Sequence, residues 1–267
     1  MLDNRPPRAA RTGGSTLQAP LRRFLLINPN TGIATTQRLE QTLRPRLPED
    51  VRLEACTARF GARYIACEAS HAIAAHACLD AWAAHRAQHP APLDGVLIGC
   101  FGDPGLFALR EVSGCPVTGL AEASFIQAAA LGPFAIVTGG ERWRPMLQRL
   151  AQGLGYGERL RHVETVEASG AVLQADADFA LRCLAEACRR AAVPGVRSII
   201  LGGAGLAGYA AALSDASPLP LIDSAHAGLE VVLKRLAPPA LQPADGLHAR
   251  VSGLSPELMA IPAPEGS

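Results

Sequence analysis

Lysine is nearly missing from this 267-residue chain: Lys234 stands alone, and arginine supplies the other 24 of its 25 cations. A P-loop needs Gly-Lys-Ser/Thr, but Lys234 sits in Val231-Val-Leu-Lys-Arg-Leu236, a helix-like stretch late in the chain. A Schiff-base enzyme needs a lysine aimed into a pocket, and this one reads as a solvated helix residue. P-loop, pyridoxal-phosphate and class I aldolase chemistry are therefore set aside. Charge of one sign is lacking too. The 25 basic and 24 acidic residues leave a net charge of +1, with no electrostatic footprint for nucleic acid or an anionic membrane. No apolar run approaches the roughly 18–20 residues of a membrane span, because Gly, Pro or a charge interrupts each one. Residues 1–21 have no apolar signal-peptide core and read as a disordered lead. Cys-x-x-Cys is absent, and the cysteine count of seven is odd, which disfavours a disulfide framework or a zinc ribbon. His85 and His89, four apart, and His71 and His76, five apart, have no neighbouring Cys or carboxylate that completes a ligand set, so no metal is expected. A cytoplasmic protein with free thiols and a small-molecule partner is the expectation.

What is present is an alternation. Short apolar runs end in Gly/Asn/Thr turns and are followed by helix-like segments, as in a parallel α/β sheet. The runs are Phe24–Ile27, Gly95–Ile98, Pro116–Thr118, Phe134–Val137, Ser198–Leu201 and Leu219–Ile222; apolar on both faces, they suit buried parallel strands. Ala-rich segments such as 70–84 and 121–130 suit helices packed closely inside the molecule or against a second copy, so a homo-oligomer is allowed.

An internal repeat is visible. Gly95-Val-Leu-Ile-Gly-Cys-Phe-Gly-Asp103 followed by Cys115-Pro-Val-Thr-Gly-Leu120 lies parallel to Ser198-Ile-Ile-Leu-Gly-Gly-Ala-Gly205 followed by Leu219-Pro-Leu-Ile-Asp-Ser224. Gly99-Cys100 falls on Gly202-Gly203, and the strand ending at Asn28 falls on the one ending at Thr138. Two similar halves related by a pseudo-twofold follow. Residues 22–130 with 236–254 form the first, residues 131–235 the second, and 255–267 a flexible tail. Ligands in open α/β sheets bind beyond the carboxyl ends of strands, which places one between Asn28 and Cys100 on one side and Thr138 and Gly203 on the other. The neighbours Phe101, Gly102, Gly139 and Ala204 complete the expected substrate-binding set.

Free cysteines are mostly small buried hydrophobes, but Cys100 ends a strand and precedes a turn into a helix. Asp103 suits the cap of that helix and Pro104 its first position, and a thiol before a helix N-terminus is expected to ionise more easily. Thr138 and Glu141 fit a Thr-x-x-Glu capping box. Asp223 and His226, after the last strand, suit a helix cap first and the cleft second; Asp94 and Glu122 share that ambiguity.

Six segments together resemble the aspartate/glutamate/hydantoin racemase superfamily, hydantoin racemases most closely. They are Leu26-Ile-Asn-Pro-Asn-Thr31, Gly61-Ala-Arg-Tyr-Ile-Ala-Cys-Glu68, Cys100-Phe-Gly-Asp-Pro-Gly-Leu106, Val137-Thr138 with Glu141-Arg-Trp143, Leu201-Gly-Gly-Ala-Gly-Leu-Ala207 and Pro220-Leu-Ile-Asp223. The resemblance implies two Rossmann-like halves with parallel sheets and an inter-domain active site, no cofactor, and two cysteines that exchange an α-proton from opposite faces. Cys100 matches the first cysteine. Where the second is expected, in Leu-Gly-Cys-Ala-Gly, this chain has Gly203. Arylmalonate decarboxylases look like relatives with one cysteine, but at the other position.

Three readings follow. The chain is a cofactor-independent racemase or epimerase of amino acids or their derivatives, with Cys100 as catalytic acid/base. Alternatively it is a one-thiol decarboxylase or isomerase working through an enediolate-like intermediate held by oxyanion donors near Cys100 and Gly203. From a different class, it is a non-catalytic protein binding a small carboxylate or hydantoin.

Overall fold

The apolar runs become the inner strands of two sheets and one edge strand of each. In the computed structural model, residues 21–167, 176–234, 247 and 251–262 are described. The expected lead at 1–21 falls outside them except for Leu21. Strands β1 (Arg22–Asn28), β2 (Val51–Thr57), β3 (Gly95–Ile98) and β4 (Val117–Gly119) form one parallel sheet in the order β2-β1-β3-β4. Strands β5 (Phe134–Gly139), β6 (Leu160–Val166), β7 (Ser198–Gly202) and β8 (Leu221–Asp223) repeat that order as β6-β5-β7-β8. Phe24–Ile27 and Val96–Ile98 are wholly buried, as strands covered by helices on both faces must be. The ladders repeat as well. Ile27 pairs with Ile98, and Val137 with Leu201. Continuing each strand by two residues sets Cys100 against Gly203, as the repeat predicts.

The edge strands β2 and β6 are additions to the sequence reading. Their runs, Val-Arg-Leu-Glu-Ala-Cys-Thr and Leu-Arg-His-Val-Glu-Thr-Val, mix charged and apolar residues, as strands flanked on one side only can.

Helices α1 (Ile33–Leu43), α2 (Glu68–Gln88), α3 (Leu106–Val112) and α4 (Leu120–Leu131) belong to the first half, and α5 (Trp143–Gly153), α6 (Ala177–Ala191), α7 (Tyr209–Ala212) and α8 (Ser224–Leu233) follow the second set of strands. Packing crosses the expected split at 130/131. Helix α8 lies on α1, α4, β3 and β4, while α4 also reaches β7 and β8. Ala225, Leu229 and Val232 therefore share a core with Phe24 and Leu97. Gly228 makes this approach feasible: a Cβ there would meet Leu97 Cδ1 at 2.8 Å.

The expected tail at 255–267 is corrected in its first part. Ser255 caps the short helix α9 (Pro256–Met259), Pro256 takes its first turn, and Leu258 is buried against the first-half core. Glu257 also pairs with Arg59, which holds Asp80 on α2.

Two carboxylates hold the N-termini of α4 and α8 at equivalent places. Asp223 Oδ1 accepts from Ala225 N at 3.0 Å and His226 N at 3.1 Å, the cap expected from the sequence. In the first half the equivalent residue is Gly119, and the carboxylate comes from elsewhere in the chain. Asp103 accepts from Ala121 N at 2.9 Å and Glu122 N at 2.7 Å. This corrects the expectation that Asp103 caps α3, whose N-cap is Gly105 with no side-chain bond.

Beside that cap lies a buried ion pair. Arg110 Nη2 is 2.5 Å from Glu122 Oε2, Thr118 donates to the same oxygen at 2.8 Å, and Arg110 also bonds the Val117 carbonyl. Both charges are nearly inaccessible, at 9% for Arg110 and 2% for Glu122, so Glu122 braces β4, α3 and α4 rather than facing a ligand. Glu122→Ala strands a buried guanidinium and should cost about 3–5 kcal/mol of stability, read as a lower midpoint in urea denaturation.

Candidate active site

Beyond the carboxyl ends of β1, β3, β5 and β7, loops from both halves enclose a cavity of about 440 Å³. The first half contributes Asn30, Gly32, Ala34, Thr35, Arg63, Tyr64, Ile65, Gly99, Cys100 and Phe101. The second contributes Thr138, Gly139, Trp143, Gly202, Gly203, Ala204, Gly205 and Leu206.

Of the residues expected at the wall, Cys100, Phe101, Thr138, Gly139, Gly203 and Ala204 line it; Asn28 and Gly102 do not. Asn28 is fully inaccessible. Its amide nitrogen reaches Asn30 Oδ1 at 3.1 Å, the Gly32 carbonyl at 3.0 Å and Thr36 Oγ1 at 3.0 Å, and its oxygen accepts from Asn30 N at 3.2 Å. It folds the loop that presents Asn30. Gly102 lies under Trp143, whose ring fills the space a side chain would need, and His71 Nε2 donates to its carbonyl at 2.8 Å.

The loop after β3 is thus gripped from the opposite half. Phe101, only 4% exposed, occupies the place a side chain at Gly202 would take. Tyr64 spans the cleft the other way and donates to the Gly139 carbonyl at 3.2 Å. Tyr64 and Trp143 lie inside segments that carry the resemblance, yet their positions at the wall depend on contacts between halves that no local pattern encodes. The expected Thr138/Glu141 capping box does not form: α5 starts at Trp143, its N-cap is Arg142 with no side-chain bond, and Gly140 turns the chain at φ +87°.

The electrostatics of Cys100 reverse the sequence expectation. Burial pushes its thiol well above the ordinary range, and the neighbouring Asp103 adds to the shift. The helix that was to lower it begins at Leu106, six residues beyond Cys100. Cys100 is therefore held as the neutral thiol. The environment expected for Cys100 occurs at Cys67 instead. This residue N-caps α2, and the Ser70 hydroxyl and nearby backbone N–H groups lower its thiol below the ordinary range.

Gly203, opposite in the repeat, holds φ +147°, a conformation suited to glycine, and its N–H donates to Ser224 Oγ at 3.3 Å. That hydrogen is already committed, which removes one expected oxyanion donor. Among the described residues lining the cavity, the side chains able to ionise are Cys100, Tyr64 and Arg63. Asp223 and His226 stay outside the wall, Asp223 being engaged by α8 and by Gly208 N at 2.7 Å. Lys234, at the end of α8, pairs with Glu230 in solvent.

His85 and His89 do gain a carboxylate: Glu54 on β2 lies 2.8 Å from His85 Nε2, and the three groups converge. Glu54 is already 3.0 Å from Arg23 and 3.4 Å from Arg52, whose positive charges oppose a cation there. No helix among the described residues is long and apolar enough to cross a membrane.

Comparison with known proteins agrees with this architecture. A hydantoin racemase from Paenarthrobacter aurescens is 31% identical over 211 residues, 78% of this chain and 89% of its own length. The structure of an allantoin racemase from Klebsiella pneumoniae is similar, with a TM-score of 0.74 and 30% identity over 80% of this chain and 87% of the other. An arylmalonate decarboxylase, at 19% identity and a TM-score of 0.54 over 82% of this chain and 96% of its own, shares the fold. The profile of the Asp/Glu/Hydantoin racemase family matches residues 24–232. With two parallel half-sheets meeting at a thiol-bearing cleft, this chain belongs to the Asp/Glu/Hydantoin racemase family.

Proposed function

We propose that this protein is a cofactor-independent racemase or epimerase of cyclic amino-acid derivatives of the hydantoin type, with Cys100 as the group that moves the α-proton. The observation that carries the reading is the Cys100 thiol itself, buried and neutral at the end of β3 in a cavity shared by both halves. The α-carbon of a hydantoin lies beside a carbonyl, so losing its proton leaves an enolate rather than a localised carbanion. A neutral thiol is in the correct protonation state to return a proton to that enolate, and the thiolate left behind is the base for the reverse step. Similarity to a hydantoin racemase and to an allantoin racemase supports this substrate class.

Inversion needs proton transfer on both faces. Cys100 serves one; on the other, where the equivalent position in the second half is Gly203, water entering the cleft takes up the α-proton in this reading. This asymmetry favours a second reading. In it, Cys100 alone acts, protonating one face of an enediolate-like intermediate in a one-thiol isomerase or decarboxylase.

The test is solvent deuterium incorporation at the α-carbon of single enantiomers of 5-substituted hydantoins and allantoin, followed by NMR. Exchange with inversion is expected; exchange with strict retention selects the second reading, and saturable binding without exchange contradicts both. Cys100→Ser should slow the exchange by about 10²-fold or more while ligand binding persists. Gly203→Cys must place a side chain at φ +147°. It should lower stability by about 1–3 kcal/mol without accelerating inversion, as thermal unfolding and chiral chromatography would show.

A further inference from the structure

Asp103 is a buried carboxylate that the proposed chemistry does not use. It is 4% accessible and is the one described non-glycine residue with positive φ, at +50°. An aspartate in that region is strained unless its surroundings hold it there. Its side chain crosses to the start of α4 and fills the space left by the absent side chain of Gly119, where any Cβ would collide with it. Its own N–H reaches back to the Cys100 carbonyl at 3.3 Å. One residue thereby ties the thiol-bearing loop to the N-terminus of a core helix.

The second half shows what the alternative looks like. There the carboxylate grows from the strand end at Asp223, caps α8, and holds its loop only through the hydrogen bond from Gly208 N at 2.7 Å. Gly208 and Gly105 correspond, each N-capping the short helix after its loop with positive φ, +90° and +82°. The first half has exchanged that noncovalent tether for a covalent one, and it is the first-half loop that carries Cys100.

We infer that Asp103 is a positioning residue that fixes Cys100 against the cavity by anchoring the 100–105 loop to α4, a role distinct from capping that helix. The inference rests on the reading of Cys100 as the proton-transferring group, but half of its test is independent of turnover.

The double variant Asp103→Gly/Gly119→Asp rebuilds the first half on the plan of the second. Residue 119 is extended, with φ −117° and ψ 177°, and accepts an aspartate. Asp103→Asn alone should lower Tm by roughly 2–4 °C through the weakened cap, and the double variant should recover most of that loss. Labelling of Cys100 by iodoacetamide, followed by peptide mass spectrometry, should nonetheless run roughly tenfold faster in the double variant than in the wild type. On an exchanging substrate, kcat should fall roughly tenfold or more while KM moves less than about threefold. Restored Tm with wild-type labelling would overturn the inference and leave Asp103 a cap. Absence of exchange in the wild type would instead count against the proposed function, while the labelling still decides the role of Asp103. If the double variant fails to fold, Asp103→Asn is compared with Leu258→Ala, a destabilised variant outside the cavity wall. Faster hydrogen exchange of the 100–105 amides in the first alone, a readout that the lost charge on Asp103 does not set, supports the anchor, and equal exchange in both overturns it.

Discussion

The ring of Phe101 lies where a side chain at residue 202 would have to be, and the ring of Trp143 does the same at residue 102. This exchange of aromatics for absent side chains joins the halves at the place where the cavity is built. Glycine at 102 and 202 lets each half press a ring onto the other's backbone. The loop carrying Cys100 is held between them, and the tether from Tyr64 to the Gly139 carbonyl closes the remaining side. Deeper in the molecule, α8 seated on the first sheet and α4 reaching the second strengthen the same joint. The cavity is therefore a product of packing between halves, and neither half alone would form it.

That packing also sets the chemistry. Removing Cys100 from water disfavours its thiolate, and a carboxylate nearby adds to the effect. In the proposed reaction, the thiol that results suits the return of a proton to an enolate better than attack as a nucleophile. The asymmetry of the cleft follows from backbone as much as from side chains. At Gly203 the chain adopts φ +147° and commits its N–H to Ser224, so this position differs from Cys100 in conformation and not only in lacking sulfur.

The parts of this arrangement visible in the sequence are those encoded locally. The inner strands are legible because they are apolar on both faces, and the repeat sets Cys100 against Gly203 because equivalent strands end in similar turns. The edge strands β2 and β6 are not, since Arg, Glu and His are interleaved in them and blur the pattern, whereas the opposite edges β4 and β8 keep short apolar runs. Asp103 precedes α3 by three residues and reads as its cap, whereas in space it serves α4, about eighteen residues further on. His85 and His89 look isolated along the chain because Glu54 reaches them from a different element. Asn28 ends its strand as expected, but a short loop turns its side chain onto its own neighbours and sends Asn30 to the cavity in its place. The departures at Asp103 and at His85 are contacts between residues distant in sequence, and that at Asn28 is a turn closed by its own neighbours.

The most direct test of this account is the ionisation of Cys100 itself. Thiolate absorbance near about 240 nm can be recorded against pH for the wild type and for Cys100→Ser, and the difference between the two isolates one sulfur. A thiol held neutral by burial and by Asp103 predicts no step in that difference below about pH 9. A step centred below about pH 8 would mean an activated thiolate at rest and would contradict the account.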